Sequence, residues 1–400
     1  MPKLQNYNGR YCESEYEYAF IALLEKEGWQ YLPGNSISRA SKKEVLYSDD
    51  LEQFLKSTNS DLTADEIRQI MDSVRLVGAE SDFATLHKVY GLMVNGIQFT
   101  PQNCLPKMVP LIDFETPENN IFRCVNQFTV EYINNGQKEN RRPDVLLFVN
   151  GMPLCIIELK NPADEKATIA EAWKQINIRY WRDIPHLLHY CPLACISDGS
   201  NTRLGTVRTP YEHFYAWRRV NDGDEVSTLP FDELQSMIKG VYNPSRFLEI
   251  FRDYIYFQDS EYDSDEKEIV CRYPQFFAAR LLRKSIVKSV QEKSGKGGTY
   301  FGATGCGKTY TMAFLARQLA LRCPELGSPT IIMIVDRDEL QNQGAKLFTK
   351  SKEFLNLGEV SVVKNRKNLR EELGARESGG FYICTIQKFC DREDDKIGLI

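Results

Sequence analysis

Four hundred residues carry 50 Lys and Arg against 55 Asp and Glu, a formal net charge of −5, with 42% hydrophobic and 26% charged residues. That length suits two or three domains, each able to bury a core of its own. The charge balance excludes a surface coated in positive potential for nucleic acid, though not a local basic groove.

Charges interrupt every apolar run before it reaches the length of a membrane span. The opening MPKLQNYNGRYCESEYE lacks the apolar core of a secretory signal, so the reading is cytoplasmic with no membrane association. The 11 cysteines, scattered from Cys12 to Cys390, read as reduced and mostly buried thiols.

In chain order, EYEYAFIALLEKEGWQYL has helical apolar spacing and stops at Gly28 before a strand. Residues 50–90 read as helical, with Thr63 and Glu66 forming a capping box. From Asn103 the pattern turns to strands, FRCVNQFTVEYI among them, and strand and helix alternate to about Gly205 as an α/β domain with a mixed sheet. HLLHYCPLAC gathers His186, His189, Cys191 and Cys195, but the spacing matches no zinc pattern and LACIS reads as a buried strand.

Residues 142–160, RPDVLLFVNGMPLCIIELK, carry the first chemistry. Asp144 and Glu158 offer hard oxygen ligands for Mg²⁺, which would activate water and neutralise phosphate charge. Lys160 would orient the attacking hydroxide and stabilise the transition state. Glu158 and Lys160 are two apart on a strand and share a face. Asn150-Gly151 is a favoured two-residue hairpin turn, yet an ideal hairpin around it sets Asp144 opposite Ile157 and leaves Glu158 on the other face. A one-residue irregularity is therefore expected at 150–154, with Pro153 a natural place for it. Glu17, or Glu15, on the first helix is a candidate further acid. Gln175 and Tyr180, on the helix after ELK, are candidates for contact with the DNA backbone.

The acidic DSEYDSDEKE, residues 259–268, reads as a linker too polar to bury. It divides a domain at 1–258 from one at 269–400. Arg280, Arg283, Lys284, Lys288, Lys293 and Lys296 form one basic group after it, and Lys364, Arg366, Lys367 and Arg370 another. GATGCGKT, residues 302–309, is a complete Walker A loop. Gly302, Thr304, Gly305 and Gly307 belong to the tight turn whose amides wrap phosphate, Lys308 reaches the β- and γ-phosphates, and Thr309 holds magnesium. TYF before the loop reads as a strand and YTMAFLARQLA after it as a helix. TIIMIV and FYICTIQKF follow as strands, in the order of a parallel doubly wound sheet of the RecA type. Gln275, 27 residues before the loop, stands where helicases read adenine.

RPDVLLFVNGMPLCIIELKNP, with CISDGSNTRLGT, YNPSRFLEIFRDYIYF and the helicase order, resembles the amino-terminal part of the restriction (motor) subunit of type I restriction enzymes. The resemblance implies a PD-(D/E)xK nuclease joined to a superfamily 2 helicase lobe, using Mg²⁺ and ATP. Such a subunit assembles with methyltransferase and specificity subunits, pumps double-stranded DNA and cuts it at nonspecific positions. The family spaces a Gln and a Tyr four apart after ELK, whereas Gln175 and Tyr180 are five apart. No DExx strand or second lobe follows TIQKF in these 400 residues, so negligible DNA-stimulated ATPase is expected of them. A repair or phage-defence helicase-nuclease, or a docking fragment without activity, are the alternative readings.

Overall fold

The computed structural model describes residues 13–388 apart from 80, 162–167, 227–229, 259–265, 337–343, 346, 351, 356–359 and 375–377. The chain separates into two units, one of residues 1–252 with 268–270, the other of 253–267 with 271–400.

In the first unit, helix α1 (Glu13–Lys26) ends where Gly28 takes a φ of 107°, and strand β1 (Gln30–Pro33) follows. Three helices come next, α2 (Ser48–Thr58), α3 (Ala64–Arg75) and α4 (Asp82–Asn95). The capping box is present: the Glu66 amide donates to the Thr63 hydroxyl, and the Thr63 amide donates to the Glu66 carboxylate. The strands are β2 (Ile97–Phe99), β3 (Lys107–Val109), β4 (Phe122–Asn126), β5 (Val130–Asn134), β6 (Gln137–Arg141), β7 (Val145–Val149) and β8 (Met152–Leu159). After helix α5 (Ile169–Lys174) come β9 (Leu193–Ser197), β10 (Thr202–Thr206) and β11 (Tyr215–Ala216).

One seven-stranded sheet runs in the order β1-β4-β7-β8-β9-β10-β11. Its β1/β4 and β8/β9 pairs are parallel and the others antiparallel, so the sheet is mixed, as the sequence suggests. Every residue of β7, β8 and β9 is buried. Strands covered on both faces read as continuous apolar runs, which is what VLLFV, MPLCIIEL and LACIS are. Helix α1 packs on β1, β4 and β8, and α5 on β8 and β9, so two helices meet the strand that carries Glu158.

In the second unit β12 (Ile255–Gln258) follows the first unit's last helix. Strand β13 (Lys267–Val270) then falls partly in each unit. The expected acidic linker mostly lies outside the described residues, but its last two positions belong to β13, and Glu268 is only 4% exposed rather than solvated. Three parallel strands, β14 (Ile331–Val335), β15 (Val360–Val362) and β16 (Phe381–Thr385), are ordered β14-β16-β15. Phe348, Phe381 and Ile383 pack with Ala313 and Ala316 of the helix Lys308–Leu321. The TYF stretch before the phosphate loop is not a strand: none of its backbone pairs in a ladder, and Phe301, which a central strand would bury, is 92% exposed. Residues 337–343, after the TIIMIV strand, lie outside the described residues, and so does everything after Lys388.

Candidate functional site

The hairpin β7–β8 decides the geometry. Asn150 and Gly151 have φ of 50° and 77°, the two left-handed conformations of a type I′ turn. The turn is buried: Asn150 is 0% exposed, its amide donates to the Leu111 carbonyl at 2.9 Å, and its side-chain oxygen accepts from the Ile121 amide at 2.8 Å. Next to the turn Val149 pairs with Met152 and Phe148 with Pro153, but beyond them Leu147 pairs with Cys155 and Val145 with Ile157. Leu154 is thus an extra residue, a β-bulge inside the expected 150–154 window. Continued by one step, the shifted register sets Asp144 against Glu158, whereas the unshifted one sets it against Ile157.

The two carboxylates do share a site. Asp144 Oδ2 accepts from the Leu159 amide at 2.8 Å. Glu158 is wholly buried, and burial pushes its carboxyl well above the usual range, with the Asp144 charge raising it further and Lys160 opposing. Lys160 Nζ stands 3.9 Å from Glu158 Oε2 and donates to the Leu159 carbonyl at 3.1 Å and to Gln175 Oε1 at 3.2 Å. The Lys160 amide donates to the Ser197 carbonyl at 2.8 Å, which ties the end of β8 to β9.

Gln175 and Tyr180 are brought together by an unexpected element. Residues Gln175–Tyr180 form a π-helical turn, continuing α5. Residues five apart diverge on an α-helix but face one way on a π-helix, whose bonds run i to i+5. Gln175 Nε2 therefore donates to the Tyr180 hydroxyl at 2.8 Å, and that hydroxyl donates to Glu158 Oε1 at 2.7 Å. Both side chains turn toward Glu158 and Lys160, and Tyr180 is buried.

Glu17 is 6% exposed, and each of its oxygens accepts an amide: Oε1 from Asn126 Nδ2 at 2.5 Å, Oε2 from Gln127 Nε2 at 2.7 Å. Glu15 is half-buried on the same helix. Asn126 and Gln127 were not legible as site residues, because two amides after a strand carry no motif. Tyr16 was missed for the same reason; its hydroxyl lies 2.7 Å from Ser197 Oγ.

Among the described residues no group of three or more His, Cys, Asp and Glu is arranged to hold a metal. Asp144 and Glu158 are a two-carboxylate set, and His189 is paired with Asp82 at 2.8 Å. Glu158 Oε2 is buried and has no hydrogen-bond partner among the described residues. An orphaned carboxyl oxygen beside a second carboxylate fits a hard cation that keeps most of its waters.

In the second unit, Gly305 and Gly307 take φ of 80° and 83°, and the helix Lys308–Leu321 starts directly after them. The left-handed conformation of Gly307 favours glycine, and a Cβ there would meet only the end of the Gln275 side chain, at 2.5 Å from Nε2. Lys308 Nζ folds onto the loop, donating to the carbonyls of Gly302 at 2.8 Å and Ala303 at 3.0 Å. Gln275 Nε2 donates to the Gly307 carbonyl at 3.1 Å, and Gln275 Oε1 accepts from the Arg272 amide at 2.8 Å. Thr304 is exposed and Thr309 half-buried at the helix start, so the glutamine, lysine and threonines expected of a nucleotide site lie around one loop.

A mixed α/β unit in which Asp144, Glu158 and Lys160 meet precedes a unit that carries the GATGCGKT loop ahead of a helix. The chain belongs to the type I restriction enzyme R protein family: the family model for the N terminus of that protein matches residues 10–213. A SWI2/SNF2 ATPase model matches residues 274–399. The chain is 31% identical over 399 residues to the type I restriction enzyme HindI endonuclease subunit of Haemophilus influenzae, covering 96% of this chain and 37% of that one. It is 28% identical over 411 residues to the putative MjaIXP endonuclease subunit of Methanocaldococcus jannaschii, covering 95% and 37%. The chain thus spans little more than a third of the length of these relatives. A solved fragment of a putative HsdR subunit from Vibrio vulnificus aligns with 66% of this chain and 42% of that one at 14% identity, with a TM-score of 0.18. No helix among the described residues is long and apolar enough to cross a membrane.

Proposed function

We propose that this chain carries the nuclease and the first ATPase lobe of a type I restriction endonuclease subunit. The first unit is a PD-(D/E)xK nuclease, residues 269–400 are a RecA-like superfamily 2 lobe, and the reaction is Mg²⁺-dependent, nonspecific cleavage of double-stranded DNA after ATP-driven translocation. The observation that carries the reading is the Leu154 bulge, which puts Asp144 and Glu158 at one site beside Lys160.

Asp144 and Glu158 would hold the Mg²⁺, which supplies an activated water and charge neutralisation on the scissile phosphate. Lys160, held by Gln175 and its own strand, orients the nucleophile and stabilises charge that develops on the phosphate. Tyr180 supports Glu158, and Gln175 with Tyr180 borders the path of the DNA backbone. Glu17 acts on Asp144 through the Gln127 amide that both carboxylates accept. In the other unit Gly302, Thr304, Gly305 and Gly307 would cradle the ATP phosphates, Lys308 would leave its loop carbonyls for the β- and γ-phosphates, Thr309 would hold the nucleotide's Mg²⁺, and Gln275 would read adenine. The resemblance supplies the partners, methyltransferase and specificity subunits, and a cytoplasmic setting.

The test is Mg²⁺-dependent cleavage of plasmid DNA by the chain reconstituted with both partner subunits. Asp144→Ala and Lys160→Ala are expected to lower cleavage about a hundredfold or more while sparing assembly. Undiminished cleavage by Asp144→Ala sinks the assignment.

A further inference from the structure

Gln127 stands where the chain leaves β4, and its backbone is left-handed, with φ of 50°. Left-handed backbone is unfavourable for a residue with a Cβ, and it persists where the surroundings enforce it. Here the enforcement is visible on both sides. The Gln127 amide donates to the Asp144 carbonyl at 3.1 Å, and just before it the Asn126 carbonyl accepts from the Gly34 amide at 2.9 Å. A Cβ on Gly34 would lie 2.4 Å from that carbonyl and 2.8 Å from Phe128, so the segment is clamped between β1 and the start of β7.

The consequence of this backbone is where the side chain goes. Gln127 Nε2 donates to Glu17 Oε2 at 2.7 Å and to Asp144 Oδ1 at 3.4 Å. Glu17 is a carboxylate whose other oxygen takes the Asn126 amide, so an acceptor faces Gln127 and selects the nitrogen end of its amide for this place. With the Leu159 amide on Oδ2, Asp144 has one donor on each oxygen, and its carboxylate plane is set.

We propose that Gln127 is the positioning residue for Asp144: its side-chain amide, oriented by Glu17, holds the Asp144 carboxylate in the rotamer that binds the divalent cation. The inference rests on the nuclease reading above. It also gives Glu17 a role, since its two oxygens orient the Asn126 and Gln127 amides.

The test uses the 400-residue chain and Mn²⁺ alone, its binding followed by electron paramagnetic resonance, with thermal unfolding alongside. Wild type is expected to bind Mn²⁺ and Asp144→Ala to lose that binding. Gln127→Ala is expected to weaken it roughly 10- to 100-fold, the usual effect of losing a partner of a metal ligand. Gln127→Gly separates the amide from the backbone, because glycine keeps φ of 50° without strain. Equal weakening in Gln127→Ala and Gln127→Gly, with unfolding temperatures near wild type, supports the proposal. Wild-type affinity in Gln127→Gly overturns it, whatever Gln127→Ala does. If wild type binds Mn²⁺ no better than Asp144→Ala, the nuclease reading itself fails, and Gln127 falls with it. In reconstituted cleavage the half-saturating Mg²⁺ concentration should rise in Gln127→Gly with little change in the rate at saturation, a split that a merely structural role would not produce.

Discussion

The Tyr180 hydroxyl donates to Glu158 Oε1 at 2.7 Å, and among the described residues it is the one hydrogen-bond donor to that carboxylate. Removing it in Tyr180→Phe leaves both oxygens of a wholly buried acid without a hydrogen-bond donor. That disfavours the charged form, which is the form a cation needs. Cleavage by the reconstituted enzyme is expected to fall about 10- to 100-fold, with Mn²⁺ binding weakened in parallel. Unchanged Mn²⁺ affinity in this variant would show that the Tyr180 contact does not tune Glu158.

The π-turn at Gln175–Tyr180 makes a prediction that an α-helix would not. Ile178 inside it is 52% exposed, so its side chain contributes little to the core. Deleting Ile178 puts Gln and Tyr four apart, the family's spacing, and lets the turn relax to α-helix with the downstream chain in phase. Stability within about 1 kcal/mol of wild type and retained cleavage are expected. A one-residue deletion in a regular helix instead rotates all that follows by about 100°. Loss of both fold and cleavage on deletion would mean that the π-turn is required in itself.

How much was legible follows from where each constraint lies. Asp144, Glu158 and Lys160 could be read because a charge at the end of an apolar run is a local anomaly. Even the bulge could be read, since Asn150-Gly151 fixes a register that separates the two acids, and only an extra residue reunites them. The π-turn was not legible: the spacing of Gln175 and Tyr180 marks a departure but not which helix type absorbs it. Gln127 was hidden more deeply, for its role depends on a left-handed φ imposed by Gly34 across the sheet edge and by Asp144, neither of them near it in sequence. TYF failed the other way. Its residues favour strand, but no neighbour offers a ladder, and Phe301 is left 92% exposed.

Gly136 and Gly151 compare conformation with space. Both are the second residue of a type I′ turn, with φ of 78° and 77°. A Cβ on Gly136 meets nothing within 4 Å, while one on Gly151 would lie 2.1 Å from the Tyr47 carbonyl and 3.0 Å from the Leu51 amide. Gly136→Ala should therefore cost only the left-handed strain, about 1–2 kcal/mol. Gly151→Ala adds overpacking of about 1–3 kcal/mol on top of that and pushes the hairpin away from α2. Urea unfolding of the two variants measures the difference, and equal midpoints would mean that the approach of Tyr47 is not enforced.

Glu268 sets a pH dependence separate from the carboxylate site. Burial pushes its carboxyl well above the usual value of 4.5, with a hydrogen bond from the Thr206 hydroxyl and the Arg208 charge opposing only in part. The folded chain then keeps a proton that the unfolded chain releases. This contribution to stability is complete below the unfolded value and is lost as pH rises through the folded one. Glu268→Gln does not titrate, so its stability relative to wild type should climb with pH above 4.5, by up to about 1.4 kcal/mol per unit. Unfolding temperatures of the pair, compared from pH 5 upward, should diverge in favour of the glutamine until the folded carboxyl ionises. Parallel curves would mean that Glu268 is ionised in the fold and has found a partner for its charge.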